Sequence, residues 1–281
     1  MSAVEGYCLI NGHWSDVIPV RDRGFAYGHG VFETIRLYGG RLIMADLHLA
    51  RLSQGVEQLA ISFDPVKLQS YLDQLLSRTP ENGVVKVTCT AGEGARGYRT
   101  DPESRPNYIL QWMPLPDYPL SWAKEGVSAM VCEQRLAHAP RLAGIKHLNR
   151  LEQVLGCMEW QDRFQEGLMR DMQGHIIEGT MTNLFGFHDG TWLTPWLKNC
   201  GVAGVMRQHL MDKLMPSLGQ PVCEAELTLD SLADMEELFL CNSVAGIWPI
   251  RELAGVGQWQ PGKATVALSR ALSKDFACFG A

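Results

Sequence analysis

Three prolines within six positions, Pro114-Leu115-Pro116-Asp117-Tyr118-Pro119, break the chain into two parts. Proline lacks a backbone N–H and fixes φ, so neither a helix nor a central strand can run through this stretch. Residues 114–119 therefore read as a linker, with a smaller N-terminal domain over 1–113 and a larger C-terminal domain over 120–281. The first part opens as a hairpin, Tyr7–Ile10 and His13-Trp14 around Asn11-Gly12, since both turn residues tolerate positive φ. It continues with an alternating strand from Val31 to Tyr38 and a helix capped at about Asp46, with Leu49, Leu52, Val56 and Leu59 at helical spacing. A second helix opens at Asp64-Pro65, and strands follow at Val84–Thr90 and Asn107–Met113.

Beyond the linker the patterns predict a strand at Val127–Cys132 and a helix from about His147 with Leu148, Leu151, Leu155 and Met158 in register. Strands at His175–Ile177, Leu184–His188, Thr191–Leu193 and Glu237–Cys241 follow, with helices from about Val205, near Leu229, and over Lys263–Phe276. Strands mixed with helices in each half make the fold class α/β (α+β), in two domains. No internal repeat or low-complexity segment interrupts this order.

Composition narrows the function. With 46% hydrophobic and 20% charged residues the chain reads as globular, and a net charge of −6 gives no reason to expect nucleic acid or an anionic membrane as partner. No apolar run approaches the roughly 20 residues of a membrane span. Residues 1–6 lack the basic and apolar regions of a signal peptide, so a cytoplasmic location is the expectation. The eight cysteines are scattered without a C-x-x-C pair and read as reduced thiols; the histidines form no H-E-x-x-H, so no metal is expected.

One glycine motif misleads. Gly92-Glu93-Gly94-Ala95-Arg96-Gly97 has the spacing of a dinucleotide fingerprint, which needs a helix N-terminus directly after it. Tyr98-Arg99-Thr100-Asp101-Pro102 cannot start that helix cleanly, so the segment reads instead as a loop that approaches a ligand, with Arg96 and Tyr98 pointing in. A guanidinium and a phenol there suit a carboxylate.

Lys146 lies between apolar residues in Leu142-Ala143-Gly144-Ile145-Lys146-His147-Leu148. An enclosed ammonium needs a counter-charge, a lowered pKa or a covalent partner, and a Schiff base with an aldehyde cofactor is the third of these. Glu178, opening Glu178-Gly179-Thr180-Met181-Thr182-Asn183, offers a carboxylate for a pyridinium nitrogen. Taken alone, a snorkelling surface lysine and an ordinary acidic turn are the better explanations of these two residues. Arg51 on the first helix, Gly201-Val202-Ala203-Gly204 leading into Val205 and Met206, and the strand end Cys241-Asn242-Ser243 add groups suited to a phosphate.

In that order along the chain, these motifs resemble the fold-type IV pyridoxal-phosphate enzymes, the D-amino acid aminotransferase-like group. That group includes D-amino acid and branched-chain transaminases and the aminodeoxychorismate lyases. The resemblance covers nearly the whole chain, from Arg21-Asp22-Arg23-Gly24 and His48-Leu49-Ala50-Arg51-Leu52 to Cys241-Asn242-Ser243. Within the group, Gly144-Ile145-Lys146-His147-Leu148-Asn149-Arg150, Ala95-Arg96-Gly97-Tyr98 and Gly204-Val205-Met206-Arg207-Gln208 look like the lyases.

The resemblance implies pyridoxal 5'-phosphate as cofactor, Lys146 as its Schiff-base residue and Glu178 at the pyridine nitrogen. It implies Arg51, Ser243 and the N–H groups of Val205 and Met206 at the phosphate, with Asn183 behind the ring. Arg96, Tyr98 and Thr34 would face the substrate, Thr34 assisting proton transfer. The reaction it implies converts 4-amino-4-deoxychorismate to 4-aminobenzoate and pyruvate, a step toward folate, by a homodimer. The alternative is a transaminase. Met206 in place of a frequent threonine, Tyr98 in place of histidine, and Thr180-Met181-Thr182 in place of a small Ala-Gly pair all depart from the transaminase patterns.

Overall fold

A computed structural model describes residues 7–94, 96–101, 104–160 and 163–280. Its internal contacts group the chain through Pro116 with Ile145–Asn149, and Asp117–Gly144 with everything from Arg150 onward. The division falls inside the proline-rich stretch. It also corrects one expectation, that the lysine belongs to the C-terminal domain: Lys146 is part of the first unit.

The first unit contains β1 (Tyr7–Ile10), β2 (His13–Trp14), α1 (Arg23–Tyr27), β3 (Gly30–Tyr38), β4 (Arg41–Leu42), α2 (Ala45–Gln58), α3 (Pro65–Leu76), β5 (Gly83–Thr90) and β6 (Asn107–Met113). The strands form one antiparallel sheet in the order β2-β1-β6-β5-β3-β4. In β3 the alternation buries Val31, Glu33, Ile35 and Leu37 on one face and leaves Phe32, Thr34 and Arg36 half-buried on the other. The buried face meets Leu52 and Val56 of α2 and Leu68, Leu72 and Leu75 of α3, which form one apolar core with Val85, Val87 and Leu110. Asp64 caps α3 by accepting from the N–H groups of Val66 and Lys67. Helix α2 begins one residue earlier than its expected cap. Met44 occupies the cap position in a left-handed conformation (φ 54°), and Asp46 sits in the first turn, where its charge suits the helix dipole.

The second unit holds α4 (Leu120–Glu125), β7 (Val127–Leu136), α5 (Leu151–Met158), β8 (Glu166–Asp171), β9 (Ile176–Gly179), β10 (Asn183–His188) and β11 (Thr191–Pro195). It continues with α6 (Val205–His209), a π-helical stretch at Leu210–Leu214, α7 (Met215–Ser217), β12 (Val222–Ala225), α8 (Leu229–Ala233), β13 (Glu237–Asn242), β14 (Gly246–Leu253), β15 (Gly257–Gln258) and α9 (Lys263–Asp275). The sheet order is β12-β11-β10-β13-β14-β7-β8-β9, with β15 beside β14. Leu168, Leu184, Leu238, Leu240, Trp248 and Ile250 carry its main core.

Helix α5 differs from its sequence reading at both its start and its face. It begins at Leu151, because residues 145–149 are drawn into pairing with β3. Its buried positions are Gln153 and Gly156, whereas Leu151, Leu155 and Met158 are exposed. Among the described residues no helix is long and apolar enough to cross a membrane, and no cluster of His, Cys, Asp or Glu is placed to hold a metal ion.

Candidate active site

In the first unit the lysine segment adds an edge to the start of β3. The Phe32 N–H donates to the Lys146 carbonyl at 2.9 Å, the Leu148 N–H donates to the Gly30 carbonyl at 2.9 Å, and Val31 bridges His147. Gly55 of α2 lies against this pairing, because a Cβ there would stand 2.8 Å from Val31 Cγ1 and 3.7 Å from Ile145 Cβ. The Lys146 Nζ is 4.6 Å from the centre of the Phe32 ring. Thr34 shares the Phe32 face of β3, so the strand period places it on the lysine side.

The opposite face of β3 sends Glu33 toward α2. Arg51 Nε donates to Glu33 Oε1 at 2.8 Å and Arg51 Nη2 to Glu33 Oε2 at 2.5 Å, a two-pronged pair. His48 Nδ1 lies 2.6 Å from Glu33 Oε2. His48 and Glu33 are 0% and 1% exposed. Burial alone would raise the Glu33 carboxyl, but the Arg51 charge and the His48 hydrogen bond outweigh it and hold it below its usual range. Burial pushes His48 down, helped by the charges of Arg51 and Lys146 and opposed by Glu33. A neutral His48 therefore carries its proton on Nδ1, facing the carboxylate. Its Nε2 has no hydrogen-bond partner among the described residues.

In the second unit the expected cofactor residues meet at Val202. Glu178, 4% exposed at the end of β9, accepts from the Val202 N–H at 2.7 Å through Oε2. Asn183, at the start of β10, donates from Nδ2 to the Val202 carbonyl at 2.9 Å. The two glycines that flank Val202 and Ala203 have no room for a side chain. A Cβ on Gly204 would fall 1.9 Å from Asn183 Oδ1, and one on Gly201 would meet Ile177 Cγ2 at 2.7 Å and Glu178 Oε2 at 3.4 Å. Val205 and Met206, both buried, then open α6, and their N–H groups have no acceptor within the helix. Arg207 anchors the same turn by donating to Thr194 Oγ1, the Pro195 carbonyl and Glu224.

Between Glu178 and Asn183 the chain turns over a buried carboxylate. Glu166 accepts from the N–H groups of Gly167, Thr180 and Met181 and from the Thr180 and Thr182 hydroxyls. Burial raises the Glu166 carboxyl, against the pull of those donors. Asn183 pairs with Cys241 on β13, and at the end of that strand Asn242 Oδ1 accepts from the N–H groups of Val244 and Ala245, which fixes the turn carrying Ser243. Burial pushes the Cys241 thiol up to about 12, so it is no nucleophile.

The donor set fits pyridoxal phosphate within each unit. The first supplies a primary amine at Lys146 and the Arg51 guanidinium. The second supplies a buried carboxylate at Glu178, suited to a protonated ring nitrogen, and the N–H groups of Val205 and Met206 at the start of α6, which have no acceptor within the helix and suit a phosphate. Two expected residues lie differently. Arg96 and Tyr98 were expected to point inward, yet both are exposed, Tyr98 at 85%, because the loop after β5 leaves the sheet.

The sequence reading missed Glu33, His48 and Glu166. Two of them left a signal of burial: Glu33 is the charged residue in the buried phase of β3, and His48 precedes Leu52 and Val56 on the buried stripe of α2.

Residues 30–253 match the family model for class IV amino-transferases. The chain is 37% identical over 244 residues to an aminodeoxychorismate lyase of Vibrio harveyi, covering 86% of this chain and 89% of that one. It is 27% identical over 278 residues to a D-alanine aminotransferase of Bacillus licheniformis, covering 95% and 96%. The crystal structure of 4-amino-4-deoxychorismate lyase from Pseudomonas aeruginosa superimposes with a TM-score of 0.92 at 41% identity, over 96% of this chain and 99% of that one. The chain belongs to the class IV aminotransferase family.

Proposed function

We propose that this protein is a pyridoxal-phosphate-dependent lyase that converts 4-amino-4-deoxychorismate to 4-aminobenzoate and pyruvate, supplying a folate precursor. The observation that carries the reading is the buried Glu178 held by the Val202 N–H beside the bare backbone of Gly201–Gly204, a seat for a flat protonated ring. Similarity to the lyases of Pseudomonas aeruginosa and Vibrio harveyi supports the reaction over transamination.

The cofactor, when bound, supplies an electron sink for a carbanion next to nitrogen. Lys146 would hold the cofactor, and its amine would remove the proton from the ring carbon bearing the substrate amine. Glu178 keeps the pyridine nitrogen protonated. Arg51, Ser243 and the N–H groups of Val205 and Met206 hold the phosphate, and Asn183 backs the ring. The released electron pair closes the aromatic ring as the ether bond breaks. Protonated Lys146 then gives its proton to the enolpyruvyl methylene, and pyruvate leaves. Thr34, on the Phe32 face of β3, assists that transfer, while Arg96 and Tyr98 hold a substrate carboxylate.

The assembly we propose is a homodimer. Leu151, Val154 and Met158 of α5, exposed at 68%, 52% and 74%, give it an apolar face to bury. All eight cysteines are free, which fits a reducing, cytoplasmic setting.

The test is direct. Cofactor-loaded protein should release pyruvate and 4-aminobenzoate in equal amounts from aminodeoxychorismate, and Lys146→Ala should lower the rate by about three orders of magnitude or more. A loaded wild-type protein that releases neither product removes the reading. Transfer of nitrogen from D-alanine to a 2-oxo acid, without pyruvate release from aminodeoxychorismate, would establish the transaminase instead.

A further inference from the structure

Arg23 is 4% exposed and pairs with no acidic side chain among the described residues. Its three nitrogens all face neutral acceptors. Nε donates to His29 Nδ1 at 3.3 Å, Nη1 to the Gly97 carbonyl at 3.0 Å, and Nη2 to the Tyr98 carbonyl at 3.0 Å. The guanidinium carbon lies 5.0 Å from the centre of the Tyr27 ring, and the Tyr27 and Tyr98 rings meet edge to face at 5.4 Å. Gly94 leaves the space that Arg23 crosses, since a Cβ there would stand 2.8 Å from Arg23 Cδ.

The helix bearing Arg23 is itself anchored. Asp22, fully buried, caps α1 by accepting from the Phe25 N–H and also accepts from Thr90 Oγ1 and Asn107 Nδ2. The Arg23 N–H donates to the Gly92 carbonyl at 2.8 Å. The His29 ring is fixed too, because Nε2 donates to the Leu59 carbonyl at 2.9 Å and leaves Nδ1 as the acceptor that Arg23 needs. A rigid strand end and a short helix thus hold one fork, and that fork holds an otherwise exposed loop.

A buried guanidinium without a carboxylate is costly, and apolar side chains could anchor a loop more cheaply. The fork does two things they cannot. It fixes the carbonyls of two successive residues, Gly97 and Tyr98, and it places a positive charge behind the loop. We propose that Arg23 is a positioning residue for substrate binding: it locks the 96–98 loop so that Arg96 and Tyr98 can take the substrate carboxylate, and its charge, which meets no carboxylate among the described residues, strengthens that grip. The proposal rests on the reading of Arg96 and Tyr98 as carboxylate-binding residues.

Two variants of the full chain, loaded with cofactor, test it with two readouts. Arg96 and Arg99 are exposed and are cleavage points for trypsin. In Arg23→Gln, initial cleavage at those residues should rise about tenfold, KM for aminodeoxychorismate should rise about tenfold or more, and kcat should stay within about threefold, with the cofactor absorbance unchanged. Arg23→Lys keeps the charge but not the fork, so its loop cleavage should rise while its KM rises less. If Arg23→Gln fails to fold, Arg23→Lys decides on the same two readouts. Cleavage at the wild-type rate in the variants overturns the proposal, whatever the protein catalyses. Faster cleavage with unchanged KM overturns its substrate part and the role of Arg96 and Tyr98, while leaving the lyase reading standing. A lower kcat and lower stability at unchanged KM, without faster loop cleavage, would reduce Arg23 to a core contact.

Discussion

Glu33 ties Arg51 and His48 into one buried unit, and both effects of that pairing can be measured. Removing one partner of a buried pair strands the other, so Glu33→Ala should lower stability by about 3–5 kcal/mol in a urea titration. The pH dependence has a definite sign. His48 is held below the usual histidine value of 6.5, so below that pH the unfolded chain takes a proton that the folded one refuses, and stability falls. Glu33 is held below the usual glutamate value of 4.5; its contribution is complete above that pH and is lost as pH falls through the folded value. Stability should therefore decline from about pH 6.5 and more steeply below about 4.5. In His48→Gln the first decline should flatten; an unchanged slope between pH 7 and pH 5.5 would show that His48 does not refuse the proton. Arg51 was legible as a candidate because arginine beside an apolar stripe is unusual. Its partners were not, since a carboxylate on a distant strand and a histidine on the next turn meet only after α2 packs on β3.

At the scale of elements, the segment from Gly201 to Met206 does the most with the least side chain. Gly204→Ala would place a methyl against Asn183 Oδ1, forcing that side chain off the Val202 carbonyl. The expected outcome is a loss of about 1–3 kcal/mol in stability together with weaker cofactor binding, read by titrating apoprotein with pyridoxal phosphate. Unchanged affinity would mean the bare backbone is not part of the seat. Strands and helices with clean periods were readable: β3, β5, β6, α3 and α9 lie within a residue or two of where the sequence places them. Others were hidden for physical reasons. Strand β14 contains Pro249, which ordinarily argues against a central strand, and here proline sits where it can pair with Phe239. Strand β8 begins with Glu166, whose charge suggests a surface; only the donors of the 180–182 turn make it a buried position. Helix α5 carried a convincing stripe, but for a face the single chain leaves open.

That open face sets the prediction at the scale of the whole molecule. Leu151, Val154 and Met158 recur at helical spacing on one side of α5, and a homodimer would bury them. Leu151→Asp with Met158→Asp should shift sedimentation from twice the chain mass to the chain mass. A wild-type protein that sediments as a single chain would refute the dimer. The two-part organisation was visible in the prolines. The excursion of Ile145–Asn149 was not, because its pairing with β3 joins residues more than a hundred positions apart and leaves no local pattern. That excursion has a consequence for how the molecule is made. Neither piece cut at Pro116 is self-sufficient: the amino-terminal piece lacks the ribbon that completes β3, and the carboxyl-terminal piece carries that ribbon with nothing to lay it on. During synthesis the first unit must wait, partly finished, until residue 149 clears the ribosome. Birth order and assembly order therefore diverge in this protein.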